Sequence, residues 1–366
     1  MRYSKILTFH SAVTAALFFL CFSCATKKDR DFMDFNSEEV EGSLGIDKTT
    51  LDKFKVDNRI IAKEEGNPKQ KRALKDSNAT KVSEVASAKI VPLTKKKSKI
   101  NEAKAKEDSL EYPIDFPEAL KSYDRKSKDV WPLFEPVVFP GEKFTLKVGY
   151  LGITAGFIQI ETLPMVDIGG RRAYHFKARM RSARYYSYIY SLDDSLETFV
   201  TVEDFTPLKY VLLQRESGQT VDDLQLFDSQ KLKTFHFYKR LKKGKHKNVE
   251  LEKPIPRYFQ DSFSALFFVR GLPLKKDDLY EFPIVTRGKI WILKIKVEGV
   301  ESLKVDGKWV SAIRINAETR FPGVLEKKGD IRFWYSNDKT RRLLKFQADV
   351  KIGSIKGELV DYAPSK

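Results

Sequence analysis

Phe144-Thr-Leu146-Lys-Val148-Gly-Tyr150 places an apolar side chain at every second position, and Tyr174-His-Phe176-Lys-Ala178-Arg-Met180-Arg181 does the same with cations between. A period of two puts alternate side chains on opposite faces of an extended chain. The pattern returns at 208–214, 224–227, 235–238, 289–299, 312–318, 331–335 and 343–352, and turn formers punctuate it: Gly169-Gly170, Glu216-Ser217-Gly218, Asp306-Gly307 and Asn337-Asp338. Short strands separated by such residues predict a mainly β fold, an antiparallel, strongly curled sheet or open barrel with a wet face rich in Lys and Arg. One segment breaks the alternation. Asp261-Ser-Phe263-Ser-Ala-Leu266-Phe267-Phe268-Val269-Arg270-Gly271 has apolar residues at helical spacing between a candidate N-cap and a candidate C-cap. It predicts one short helix over about 260–271 whose Phe263, Leu266 and Phe267 plug or cover the sheet.

The β-rich texture occupies 131–366. Residues 25–130 are polar and charge-mixed, with runs such as Lys95-Lys96-Lys97 and few aromatics. Such composition buries too little apolar surface to offset chain entropy, so the segment reads as a disordered, charged linker. The stretch from Thr50 to Ile61, with Leu51, Phe54, Ile60 and Ile61, has the apolar residues for a short docked helix. As a coil of about 100 residues the linker would span roughly 55 Å, and about 340 Å fully extended. The net charge of +17 is concentrated in the domain: +2 falls in 1–24, +3 in 25–130 and +12 in 131–366.

Residues 1–24 set the expected location. Arg2 and Lys5 precede an apolar run from Ala12 to Phe22 that ends at Ser23-Cys24-Ala25. This is the anatomy of an export signal, and the run falls short of the about 20 apolar residues a membrane helix needs. The two cysteines, Cys21 and Cys24, both lie here, so the exported domain has no disulfide. Cys24 resembles the acceptor cysteine of bacterial lipoprotein signals. The resemblance implies cleavage before Cys24, acylation of its thiol and amine, and a membrane partner. With Ala25 rather than Asp next in line, it implies an outer-membrane, periplasm-facing anchor. Cys21 at −3 and Phe22 at −2 depart from that pattern. Cleavage after Ala25, giving a free periplasmic protein, and an uncleaved anchor remain open.

No phosphate loop, dinucleotide fingerprint, zinc-protease motif or Gly-x-Ser-x-Gly elbow occurs. His175, His236 and His246 lack metal-ligand spacing, with His175 and His236 expected on polar strand faces. No metal, no cofactor and no catalytic residue is expected. Asp193, Asp194 and Glu197, following Tyr185, Tyr186, Tyr188 and Tyr190, have the residue types of a glycan-cleaving acid pair, although a strand end and turn, with the tyrosines packing the sheet, is the favoured explanation. The strongest charge feature is Lys239-Arg240-Leu-Lys242-Lys243-Gly-Lys245-His-Lys247, expected at a long hairpin tip. Outside the cytoplasm its partners would be an anionic lipid or cell-wall glycan and not nucleic acid. A solvated tip that discourages edge aggregation is the alternative.

Phe139-Pro-Gly141-Glu142, Leu151-Gly152-Ile153-Thr154-Ala155-Gly156, Ile189-Tyr190-Ser-Leu-Asp193, Thr206-Pro207, Asp261-Ser-Phe-Ser-Ala-Leu and Trp334-Tyr-Ser336-Asn-Asp338 with Arg341-Arg342 resemble the DUF3108 family of exported bacterial proteins over about 135–363. That resemblance implies export and a β-rich fold and supplies no reaction. Asn337-Asp338 departs from a more usual Asp-Asp. Three classes of role are compatible with these features: a non-enzymatic envelope lipoprotein binding an anionic or amphiphilic component, a structural partner recruiting a strand at an exposed sheet edge, and a cell-wall hydrolase.

Overall fold

The computed structural model describes residues 41, 44–57, 111–320, 327–350 and 353–365. The signal segment with Cys24 and most of the linker lie outside them. The chain divides into two compact units, Met1–Asn58 with Pro117–Lys366, and Arg59–Phe116. In the second, the rings of Tyr112 and Phe116 stack at 4.9 Å. The first holds every strand and helix of the described residues.

Its elements are α1 (Lys48–Lys53), β1 (Val56–Asp57), α2 (Glu118–Ser127), a 3-10 turn (Trp131–Leu133), β2 (Lys143–Tyr150), β3 (Ile153–Ile168), β4 (Arg171–Ser182), β5 (Asp193–Thr201), β6 (Pro207–Glu216), β7 (Gln219–Asp228), β8 (Lys233–Lys242), β9 (Lys245–Pro254), β10 (Gln260–Asp261), α3 (Ser264–Arg270), β11 (Leu279–Thr286), β12 (Lys289–Val305), β13 (Lys308–Arg320), β14 (Lys327–Ser336), β15 (Leu343–Asp349) and β16 (Ser354–Ala363). Sixteen strands form one sheet. The meander β11 to β16 joins the meander β2 to β9 through antiparallel pairing of β16 with β2. The two-residue pairing of β10 with β11 is parallel.

The sheet curls without closing by hydrogen bonds. Side chains bridge the gap instead. Arg287, in the β11–β12 turn, donates to Asp223 of β7 at 2.8 Å and lies over the Tyr238 ring of β8. The neighbouring Gly288 has φ 61°, a conformation that favours glycine, and a Cβ there would displace the end of the Leu251 side chain on β9, 2.5 Å away. The connection from β9 to β10 is held by α2: buried Asp124 accepts the backbone N–H groups of Arg257 and Tyr258 at 2.7 and 3.1 Å.

The expected helix lies on the concave face. Asp261 accepts the N–H groups of Phe263 and Ser264 at 2.7 and 2.8 Å, as an N-cap does. Phe267 stacks on Phe176 of β4, Phe268 stacks on Phe134, and the Tyr335 hydroxyl of β14 donates to the Leu266 carbonyl at 2.9 Å. Gly271 ends the helix with an ordinary φ of −86°; it is glycine because a Cβ would meet the Phe134 ring at 2.4 Å and the Glu135 carbonyl at 2.5 Å. The helix packs into the curl. Between Phe144, Ile160, Phe267 and Leu343 lies a recess of about 10 Å³, room for about one water. At its wall, Arg270 meets the fully buried carboxylate of Glu142 through both terminal nitrogens, and it also donates to the Thr340 carbonyl.

Two stretches inside the expected linker carry defined elements. Residues 117–130 supply α2. Residues 44–57 form a strap over the outer face of β3 to β8, where Leu44 and Phe54 join Val166, Ile168, Phe199, Leu208, Val211, Leu224 and Leu226 in a second core. Glu41 pairs with buried Lys209, Lys53 pairs with Asp228, and Val56–Asp57 adds to β3. The strap's charge-mixed composition hides it, since only a few of its side chains make the contacts. The docked helix is shorter and earlier than Thr50 to Ile61. Phe54→Ala should lower the unfolding free energy by about 3–4 kcal/mol, as removal of a buried ring does. Lys55→Ala, on its exposed neighbour, should change it by no more than about 0.5 kcal/mol. Denaturant titration measures both.

Candidate functional site

The basic segment is the outer part of the β8–β9 hairpin, closed by the two-residue turn Lys243-Gly244 with φ 49° and 73°. Most of these cations therefore lie in paired strands and not in the long hairpin tip expected from sequence; β9 escaped the alternation because only Val249 and Leu251 in it are large and apolar. Pairing fixes which side chains share a face. Arg240 lies opposite Lys247, and Lys242 opposite Lys245. These four project on the side of the sheet that carries His236 and Tyr238, while Lys239 projects on the other and Lys243 occupies the turn. Like charges directly opposite one another on a β-ladder are destabilising.

This hairpin belongs to a row of turns along one sheet edge. Leu151 in the β2–β3 turn packs beside Gly353 of the β15–β16 turn, where an added Cβ would be 2.9 Å away. The Tyr185 hydroxyl, in the β4–β5 loop, donates to the Thr154 carbonyl at 2.5 Å. That loop bonds the β6–β7 turn through Ser191 N–H to Ser217 Oγ at 2.7 Å and Ser217 N–H to the Ser191 carbonyl at 2.9 Å. Gln219, after the β6–β7 turn, pairs with Lys242.

The three candidate acids do not converge. They lie within β5, not in a turn, and alternation sends Asp193 and Glu197 to the outer face and Asp194 inward. Asp193 is held by Arg179 and Arg181. Glu197 accepts from His175 at 2.7 Å and Lys177 at 3.2 Å. Burial would raise the Glu197 carboxyl, but these two partners outweigh it and hold it below the usual range. Asp194 is fully buried, accepts the Arg215 N–H at 2.8 Å, and shares Gln214 with Glu216, to which Tyr190 donates at 2.5 Å. Burial, then the charge of Glu216, pushes the Asp194 carboxyl well above its ordinary value, and burial raises Glu216 too.

His236 corrects a sequence expectation: its face is interior, not wet, and Asp223 lies 3.1 Å from its Nε2. Burial alone would raise the Asp223 carboxyl; His236 and Arg287 together hold it low. His175 stacks on Phe199 of the outer face. His246 is exposed on β9. Neither the Asp194–Glu216 pair nor the Asp223–His236–Arg287 group was visible in sequence, because each joins residues on separate strands.

Three of the motif pieces that carry the family resemblance, Phe139–Glu142, Asp261–Leu266 and Trp334–Asp338 with Arg341-Arg342, meet at the opposite edge. Glu142 and Arg270 pair there, and Arg270 reaches Thr340, whose N–H donates to Asp338 at 2.8 Å. Burial would raise Asp338, but hydrogen bonds from Thr340, Ser336 and Arg342 bring its pKa down to about 2. Asn337 donates to Ser311 at the surface, so the departure from Asp-Asp leaves the Asp338 cap intact. These motifs are accounted for by packing the helix into the sheet.

Asp194 gives a pH prediction. A carboxyl raised by folding binds its proton more tightly in the folded chain, so stability falls as pH rises from the unfolded value through the folded one. Asp194→Asn, which mimics the protonated acid, should flatten the decline in unfolding free energy as pH rises above the ordinary carboxylate range. Urea titrations of both proteins over that rise measure the slope.

Among solved structures, the chain is similar to a β-barrel-like protein of the DUF1849 family from Brucella abortus, with 12% identity, TM-score 0.41, and coverage of 62% of this chain and 98% of that one. It is similar also to an exported protein with a YmcC-like fold from Bacteroides fragilis, at 8% identity and TM-score 0.28 over 63% of this chain and 99% of that one. A third is the Mycobacterium tuberculosis lipoprotein LppX, at 12% identity and TM-score 0.18 over 68% and 99%. No curated protein matches the chain. The family model of DUF3108, a protein of unknown function, matches residues 143–360, from the start of β2 into β16, and the chain belongs to that family.

Proposed function

We propose that this chain is a non-enzymatic envelope lipoprotein, anchored through acylated Cys24 at the outer membrane and facing the periplasm, whose β domain binds an anionic or amphiphilic envelope component through Arg240, Lys242, Lys245 and Lys247, with Lys239 and Lys243 beside them. The observation that carries this reading is the pairing of like charges across β8 and β9. Discouraging edge aggregation would call for charge on β9, the outermost strand of its meander. It does not account for Arg240 and Lys242, which sit on a strand paired on both sides. Lys242 has Glu216 within electrostatic reach, whereas the Arg240–Lys247 pair is retained at a cost in stability that an anionic partner relieves.

The stacking of α3 on Phe176 and Phe134 supports a surface site over an interior one. The divergence of Asp193, Asp194 and Glu197 disfavours a hydrolase built from them. Strand addition at β9 is disfavoured by Lys245, Lys247, Glu250, Glu252 and Lys253 along it and by Pro254 at its end.

The test is sedimentation with phosphatidylglycerol vesicles, lipopolysaccharide and purified cell wall. Lys245→Glu/Lys247→Glu should weaken binding to at least one of them by about 2 kcal/mol, roughly thirtyfold. The parent's binding should fall between about 0.1 M and about 1 M salt. Binding that ignores both salt and charge reversal contradicts the proposal.

A further inference from the structure

We infer that the partner of this edge is a lipid bilayer, entered by the apolar tips of the β2–β3 turn and the β4–β5 loop while the β8–β9 hairpin neutralises its anionic headgroups. The inference rests on the charge-binding reading above and names its partner. Leu151 and Ile153 are 61% and 55% exposed, Tyr188 and Ile189 are 73% and 74% exposed, and Tyr185 stands between the two groups with its hydroxyl on Thr154. Five large apolar or amphipathic side chains on two touching loops form a patch that a soluble surface does not need. Tyrosines beside aliphatic tips suit the zone between headgroups and acyl chains.

Leu151 is especially telling. Leu151-Gly152 forms a two-residue turn with φ 48° and 81°. The first position of such a turn favours Asn, Asp or Gly, and leucine there accepts both backbone strain and water contact.

The surrounding charge is complementary to an anionic surface. No Asp or Glu occurs in 150–155, 183–192, 217–221 or 239–249, stretches that contain Arg184 as well as the basic hairpin; the flanking acids Asp193 and Glu216 are engaged within the protein, with Arg179 and Arg181 and with Tyr190. Chain length brings the same bilayer within reach. The strap is docked from Glu41 onward, so an acylated Cys24 is joined to the domain by the 16 residues 25–40. Those residues extend at most about 55 Å, not the about 340 Å that a linker of about 100 residues would give. A ten-residue strand is about 33 Å long, so the edge lies within reach of the membrane that holds the anchor.

The mature chain from Ala25 onward contains no cysteine. Single-cysteine variants Leu151→Cys and Ile189→Cys, labelled with a polarity-sensitive fluorophore, should shift to the blue on phosphatidylglycerol vesicles. Trp309→Cys, at an exposed position on the opposite edge, should not. Leu151→Ser/Ile189→Ser should lose vesicle binding by about tenfold or more while keeping the parent's retention on dextran sulfate, a polyanion without acyl chains. Lys245→Glu/Lys247→Glu should lose both. Vesicle binding by the serine variant equal to the parent's, or a blue shift at position 309 alone, overturns the insertion. Equal binding by the charge-reversed variant instead overturns the underlying charge reading.

Discussion

The contact on which the fold most depends is the buried pair between Arg270 and Glu142. Arg270 ends the helix α3 and Glu142 opens the sheet at β2, so one ion pair seats the plug at the strand where the two meanders join. Each group spends its hydrogen bonds within the site: the guanidinium on Glu142 and the Thr340 carbonyl, and the carboxylate on Arg270 and Thr162. Phe139 and Phe144 lie against the guanidinium plane. Breaking such a pair from one side strands a charge in an apolar interior, at a cost of about 3–5 kcal/mol. Leucine in place of both would relieve that charge but would lose the orientation that a bidentate contact imposes.

Packing of the helix into the curl bears on where binding can occur. Helix and aromatic stacks occupy concave surface, and the strap covers much of the outer face of β3 to β8. The edge where the turns line up is left open by both. The two buried polar groups lie close to that edge. Asp194 and Glu216 anchor the β4–β5 loop through Tyr190, and Asp223 receives Arg287 from across the gap. They set the positions of the exposed loops without contacting anything outside.

Much of the fold was legible in sequence because its signals are local. Alternation at 144–150 and 174–181 specified strands within one to three residues, and Asp261 with Gly271 bracketed the helix. Gly271 was read as a C-cap for its conformational freedom, whereas its role is to let Phe134 and Glu135 approach. The parts that were not legible are long-range. Phe54 and Leu44 sit in a stretch too polar to predict burial, yet they find an apolar outer face whose existence depends on six other strands. β9 has only Val249 and Leu251 for an apolar period, and the rest of it is specified by β8. The basic run was conspicuous, but its division into four cations on one face comes only from the register of the hairpin.

Hydrogen–deuterium exchange of the mature chain, with and without phosphatidylglycerol vesicles, tests the central claim that binding belongs to the edge and not to the interior. The account predicts slowed exchange in 150–155, 184–191 and 240–247, with 264–270 unchanged. Altered exchange in the helix and its flanking concave strands, with those three stretches unaffected, would contradict it.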